Sequence, residues 1–353
     1  MLPDRFRYGT DVKKTIMTII ILITFIIAIL IMLETGMYCL THFPAVLRLL
    51  PRKLQNSIGY LYIQGDRKIM QFQEGCGQYH PDLGYTLKPG KFVFTEIEYS
   101  NEYRINALGV RDSEESLTAP EIVFLGDSYT LGWGVDQAET FVKQLEGRTK
   151  FKTLNTSVPS FGTVREMLML RKVDRSQLKC LIIQYCGDDY DENKLFLANG
   201  NRPQIMRAET FQNLTTLHSK GKSYFPGKYI RLKIRKKTEE WKLQQKKSAG
   251  DNPLTDVDLF IHVLKQNANM LVNLPLIVFE MNGINQTNQF TAGLKGKVAD
   301  LNQPTFIRNM IILDMSQYLE DRHFYVLDGH LTAAGHIIVA DVLYQTVSRL
   351  GLI

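Results

Sequence analysis

Cysteine is scarce in this chain, with four among 353 residues. Cys39, Cys76, Cys180 and Cys186 follow no metal-ligand spacing and no Cys-x-x-Cys pattern, which excludes a cysteine zinc module and a thioredoxin-like redox motif. Cys180 lies in an apolar run and Cys186 just beyond it, so both read as packing residues. Charge of one sign is also in short supply. Lys and Arg outnumber Asp and Glu by 42 to 36, a formal net charge of +6, too small to indicate nucleic acid by itself. The aromatic residues near Tyr79 and Tyr85 are not interleaved with basic ones, and no nucleic-acid partner is expected. Trp133 and Trp241 are the two tryptophans, and both read as isolated. Gly221-Lys222-Ser223 lacks the upstream glycine of a phosphate-binding loop. His323 and His336 have no donors at metal-ligand spacing, so no metal is expected from them, and His336 reads as structural. No internal repeat or low-complexity tract is visible. With 44% hydrophobic and 22% charged residues, wholesale disorder is excluded too.

What the chain does have is one long hydrophobic run. Residues 16–33, IMTIIILITFIIAILIML, contain no charge and no proline. Eighteen residues is about the length that crosses hydrocarbon. A buried core helix would show a polar face, and this run has none. A signal peptide would have a shorter apolar stretch followed by small residues at a cleavage site, whereas ETGMYCLTHF follows here. Residues 16–33 are therefore expected to be an uncleaved single-pass anchor behind an N-terminal cytoplasmic segment, 1–15. Arg5, Arg7, Lys13 and Lys14 precede the run, and Arg48, Arg52 and Lys53 follow it. That slight excess of basic residues on the N-terminal side favours a membrane protein whose body is extracytoplasmic.

Residues 34–117 read as a connector, amphipathic over 44–72, followed by a small β-rich lead-in. Over 75–112, short alternating stretches are broken by Gly and Pro, as strands and turns require. From residue 118 to 353 the rhythm becomes strand, glycine-bearing turn, helix. EIVFL, FKTLN, LKCLIIQY, LPLIVFEM and MIILD are short, nearly continuous apolar runs, the signature of parallel strands covered on both faces. VREMLMLRKV and DVDLFIHVLKQNANML read as helices between them. AAGHIIVADVLYQTVSRL closes the chain as an amphipathic helix with Ile337, Ile338, Val342 and Leu343 on one side. Alternation of this kind predicts an α/β sheet with helices on both faces, and sites in such folds form at the carboxyl ends of the strands. A segment at about 196–256 breaks the rhythm. It carries KYIRLKIRKKTEEWKLQQKK and reads as an insertion with a charged helix. Its basic face is either solvated or fits an anionic membrane surface or acidic polymer.

Two turns hold chemistry. The first strand runs into Gly126-Asp127-Ser128, and a Ser on a tight strand-to-helix turn offers a hydroxyl and its own N–H to a crevice. The last such turn reads Asp328-Gly329-His330. A His there takes the proton of Ser128 as base, and an Asp two residues upstream holds the imidazole tautomer and stabilises its cation.

GDSYTLGWGV, NTSVPSFGT, QYCGDDYDEN and DGHLTAAGH follow in the order of the conserved blocks of the SGNH, or GDSL, hydrolases, which this chain resembles from Glu121 to its C-terminus. With its anchor and its GYTLKPG…YRINALGVRD lead-in, it looks like the membrane-tethered members associated with bacterial surface polysaccharides. The resemblance implies a flavodoxin-like three-layer α/β/α sandwich with a parallel sheet. It implies cleavage of esters or thioesters, often acetyl groups on carbohydrates, by Ser128, His330 and Asp328, with no cofactor and no metal. The partner is then an acylated glycan or a small ester, with the membrane held through the N-terminal helix. The second block implies an oxyanion donor at the backbone of Ser160, where the family has Gly, with Gly162 nearby. In the third block Asp188 stands where the family has an Asn donor. A carboxylate only accepts hydrogen bonds, and burial of Asp188 beside Asp189 would keep it neutral and able to donate. The expected activity is that of a serine esterase or deacetylase on an envelope polysaccharide. O-acyl transfer to such a polymer and non-catalytic glycan binding are the alternatives.

Overall fold

The computed structural model describes residues 5–220, 222–247 and 254–352, and it divides the described chain into two units. One comprises the described residues of Met1–Asp66 and Ser223–Ala249, the other those of Arg67–Lys222 and Gly250–Ile353. The segment expected as one insertion is thus shared between them. Helices Asp189–Ala198 and Ala208–Ser219 belong to the second unit, and the charged helix Lys228–Lys247 to the first.

In the first unit the helix Arg5–His42 contains the apolar run. Its stretch Val12–His42 is the one candidate among the described residues that is long and apolar enough to cross a membrane, with none of its apolar window buried against protein. Each large apolar side chain left in water forgoes about 1.5–3 kcal/mol, so a core role is excluded for this helix. The helix Arg52–Gly65 and the charged helix pack beside its C-terminal end.

The second unit opens with two antiparallel hairpins. β1 (Gly77–His80) pairs with β2 (Gly84–Leu87), and β3 (Gly90–Thr95) with β4 (Ser100–Ile105). The five expected parallel strands follow: β5 (Ile122–Leu125), β6 (Thr153–Asn155), β7 (Cys180–Tyr185), β8 (Leu276–Glu280) and β9 (Ile311–Leu313). They form one parallel sheet in the order β6-β5-β7-β8-β9, the 2-1-3-4-5 order of flavodoxin-like folds. Alternate side chains enter two cores. Val123, Leu125, Leu181, Ile183 and Val278 meet residues of helices Thr163–Leu170 and Asp256–Gln266. Ile122, Phe124, Ile182, Ile277 and Phe279 meet helices Phe141–Thr149 and Ala333–Arg349. The result is a three-layer α/β/α sandwich. In the closing helix the buried side is Val339, Ala340, Val342, Leu343 and Val347, while Ile337, expected there, is 46% exposed. His336 is buried and accepts from the Phe141 N–H at 3.2 Å; burial pushes it down to about 3, so it is a neutral structural acceptor.

Candidate active site

The chain reverses its winding between β5 and β7, and the loops leaving their carboxyl ends carry the unusual polar residues. Such a reversal opens a crevice in doubly wound sheets. β5 ends at Leu125, and Gly126 turns the chain under close constraint. A Cβ there would fall 2.4 Å from Thr130 Oγ1 and 2.7 Å from Gln184 Oε1. Gln184 on β7 accepts from both the Asp127 N–H (3.2 Å) and Thr130 Oγ1 (3.0 Å). Asp127 caps the short helix Ser128–Leu131 by accepting from the Tyr129 N–H at 2.9 Å. An N-cap aspartate of this kind fixes where the helix starts, so Ser128 is its first residue and lies half-buried.

From the other end of the domain, the turn before Ala333–Arg349 brings His330 to Ser128. His330 Nε2 lies 2.7 Å from Ser128 Oγ, and Nδ1 meets Asp328 Oδ1. Gly329 between them adopts φ +80, a left-handed conformation that glycine takes freely. His330 and Asp328 are both buried, so the pairs lie out of water where they act strongly.

Asp328 has more partners than the sequence suggested, from the connector, the lead-in and the loop after the Ser128 helix. Arg67 Nη1 lies 3.3 Å from Oδ1, while the Tyr99 hydroxyl donates to Oδ2 and Trp133 Nε1 reaches Oδ2 at 3.2 Å. Burial works to lift the Asp328 carboxyl, but the neighbouring His330 and Arg67 charges hold it below the usual carboxylate range. Trp133, read as isolated, stacks on the His330 ring at 5.2 Å and 15°. Glu98 accepts from the N–H groups of Val326, Leu327 and Asp328, each at 2.9 Å, and so fixes the loop that bears the Asp-Gly-His turn. Arg111 is fully buried and donates to the carbonyls of Gly132 (2.6 Å) and Val135 (2.8 Å), just past the Ser128 helix. Asp112 accepts from the Asn155 N–H at 2.9 Å. The β3–β4 hairpin and the Val110-Arg111-Asp112 turn are therefore a brace for the site.

The second and third loops differ from one another. Ser160, after β6, is exposed and has φ +59, which costs a side-chain-bearing residue more than glycine. Arg165 donates to its carbonyl, and Gln71 donates to its Oγ at 3.2 Å. Among the described residues neither the Ser128 nor the Ser160 N–H donates to a protein acceptor. The Gly162 N–H does, to Glu192 Oε2 at 3.0 Å. After β7, Asp188 is exposed at the start of the helix Asp189–Ala198. The burial expected to favour a neutral Asp188 falls on Asp189 instead. Asp189 accepts from Thr163 Oγ1 at 2.8 Å, and burial followed by the charge of Asp127 pushes its carboxyl well up. Among the described residues no cluster of three or more His, Cys, Asp or Glu could hold a metal ion.

No family model and no curated protein matches the chain. Among solved structures it is similar to a Bacteroides fragilis protein assigned as an acylhydrolase, at 12% identity and TM-score 0.36 over 67% of this chain and 94% of that one. It is similar to a Desulfitobacterium hafniense protein assigned to the G-D-S-L lipolytic family, at 11% identity and TM-score 0.36 over 64% and 97%. A carbohydrate esterase with divergent catalytic and non-catalytic binding functions is a third, at 12% identity and TM-score 0.37 over 66% and 65%. At these identities and TM-scores the likenesses carry no weight for the reaction, which has to be argued from this chain's own side chains.

Proposed function

We propose that the chain is an SGNH-type serine hydrolase of acyl esters, held at a membrane by its N-terminal helix. The observation that carries this reading is the 2.7 Å approach of His330 Nε2 to Ser128 Oγ, with Asp328 on the other ring nitrogen. In this reading Ser128 Oγ attacks the acyl carbonyl while His330 Nε2 takes its proton. Asp328 fixes the tautomer that leaves Nε2 free to accept, and it stabilises the imidazolium that forms. The oxyanion is held by the N–H groups of Ser128 and Ser160, because that of Gly162 is engaged by Glu192. His330 then returns its proton to the departing alkoxide, and water, activated by the same imidazole, releases the acyl group.

The substrate class proposed is an O-acetylated envelope glycan, with the domain on the extracytoplasmic side. An open site suits a polymer: Gly187, Asp188 and Ser160 at the strand ends are all exposed. Acyl transfer to a glycan hydroxyl would use the same residues. A non-catalytic glycan-binding reading draws on one observation, an exposed Asp188 where an amide donor would help the oxyanion.

A fluorophosphonate probe on the full chain in detergent tests the proposal. Labelling that vanishes in Ser128→Ala and weakens in His330→Ala is expected. Equal labelling of wild type and Ser128→Ala, or none of either, would leave the chain without an activated Ser128 and favour the binding reading.

A further inference from the structure

The first unit contains a charged helix that the proposed reaction does not use. Over residues 228–241 it carries six Lys or Arg and two Glu. Its first turn is fastened to the apolar helix. The Glu34 carboxylate accepts from the N–H groups of Tyr229 and Ile230, both at 3.1 Å, and Thr41 Oγ1 donates to the Tyr229 hydroxyl at 3.0 Å. A buried carboxylate on a helix N-terminus is a favourable arrangement. Glu34 is also the residue that follows the uncharged run 16–33. Wherever that run meets the end of the hydrocarbon, the charged helix begins.

The surface near this level mixes apolar and basic side chains. Phe43, Leu49, Tyr224 and Phe225 are exposed, Leu49 at 85%. On the charged helix Arg231, Ile234, Thr238 and Trp241 recur three or four residues apart, which places them along one face. Ile234 is 63% and Trp241 60% exposed, and Lys233 and Lys237 line the shallow groove between them. A merely solvated face accounts for the cations but not for an isoleucine and a tryptophan in line with them. An acidic polymer would likewise need no apolar anchors. Basic residues flanking large apolar ones, with aromatic side chains at the end of a spanning segment, are the chemistry of the lipid headgroup zone.

We propose that this face of the helix lies on the bilayer and binds anionic phospholipid headgroups. Trp241 and Ile234 enter the headgroup boundary, and Arg231 and Lys237 meet the phosphates, giving the unit a second attachment beside its spanning helix. The proposal rests on the N-terminal helix being in a membrane, which alkaline extraction checks separately.

The test uses the full chain in vesicles of phosphatidylcholine alone, or with a third of phosphatidylglycerol, prepared with acyl chains brominated near the headgroup. The two tryptophans separate cleanly, because Trp133 is buried in the second unit. In brominated anionic vesicles the Trp241 emission should fall about twofold, consistent with insertion at the headgroup boundary. In brominated neutral vesicles, or in high salt, it should fall much less. Trp241→Phe should remove the quenchable component. Arg231→Glu with Lys237→Glu should remove the dependence on anionic lipid, and retained Trp133 emission shows that the variant has folded. No quenching in anionic vesicles would overturn the proposal, and equal quenching in neutral and anionic vesicles would overturn the role of the cations. A Trp241 response to dextran sulfate but not to anionic lipid would assign the face to an acidic polymer instead.

Discussion

Arg67 Nη1 lies 3.3 Å from Asp328 Oδ1, the same oxygen that meets His330 Nδ1. One buried carboxylate thus serves two cationic partners, of which one is permanent and the other exists only when the imidazole is protonated. The permanent charge damps the field that Asp328 exerts on the ring.

Removing it, as in Arg67→Met, should change how stability depends on pH. Asp328 is held below its ordinary range by His330 and Arg67 against the effect of burial. Its ionised form therefore stabilises the fold above about pH 4, and that contribution is lost as pH falls through the lowered value. Without Arg67 the loss should be smaller and complete at a higher pH. At neutral pH the variant should be destabilised by roughly 2 kcal/mol, less than the 3–5 of a fully buried pair because Arg67 is partly exposed. Urea titrations across the acid range measure both effects.

The Ser128 and His330 assignments make a joint prediction. Ser128→Ala and His330→Ala should each abolish hydrolysis of p-nitrophenyl acetate to a similar extent, because groups that act as a unit are not additive. Asp328→Asn should lower kcat by about 10⁴-fold through loss of the productive tautomer. Circular dichroism should show all three folded. Substantial turnover in Ser128→Ala would assign the nucleophile elsewhere.

Asp127 offers a test of the electrostatics beside Ser128. Burial first, and then the charge of Asp188, pushes its carboxyl up to about 6. Between about pH 4 and pH 6 the folded chain holds this proton more tightly than the unfolded chain does. Stability from this group therefore falls as pH rises through that window, and the full penalty of about 3 kcal/mol is present above it. Asp127→Asn keeps an oxygen acceptor for the Tyr129 N–H and cannot ionise. It should be more stable than wild type at pH 8 by up to about 3 kcal/mol and indistinguishable at pH 4. A difference that does not change with pH would show that Asp127 is not charged at a cost.

The five sheet strands and the turns that bear Ser128, Asp328 and His330 were legible because each is local, although the Ser128–His330 contact itself spans 202 residues and was read from the order of the motifs. An apolar run is a strand signal in itself, and Ser128, Asp328 and His330 sit on turns whose glycines and caps can be read in a few residues. Tyr99, Trp133, Arg67 and Glu98 were not legible as site residues. Each acts across more than 190 residues of chain, on Asp328 or on the loop that bears it, and none belongs to a motif. A buried carboxylate beside a histidine needs further donors, so the Tyr, Trp and Arg side chains of the connector, the lead-in and the loop after the Ser128 helix were the available signal. Gly162 was misleading for a different reason. Its N–H looked available in a loop, and only the fold brings Glu192 to it.

The topology has its own test. If the apolar helix spans a membrane with the second unit on the far side, the protein should stay in the pellet at full mass after alkaline carbonate extraction. Protease added to intact spheroplasts should then digest the chain beyond Arg67. Protection of that unit would place it in the cytoplasm and remove envelope glycan as a substrate. Release at reduced mass would indicate cleavage of the N-terminal segment.

Asp188 carries the sharpest question about rate. It follows β7 and is exposed, unlike its buried neighbour Asp189, and in the proposed reading it takes the place of a side-chain amide that would donate to the oxyanion. A carboxylate there offers acceptors to a developing negative charge, and an amide of nearly the same shape offers two donors. Losing one oxyanion donor typically lowers kcat by about 10²–10³, so supplying one to a site that lacks it should recover a good part of that. Asp188→Asn is expected to raise kcat/KM for p-nitrophenyl acetate by at least about tenfold, near the lower end of one donor's effect. Fluorophosphonate labelling should accelerate in the same proportion, since the probe's phosphoryl oxygen occupies the same place. Asp189→Asn provides the contrast. Its carboxyl is buried against Thr163, so that exchange should alter stability more than rate. An Asn variant at position 188 no faster than wild type would mean that the side chain does not reach the oxyanion, leaving the N–H groups of Ser128 and Ser160 as its donors.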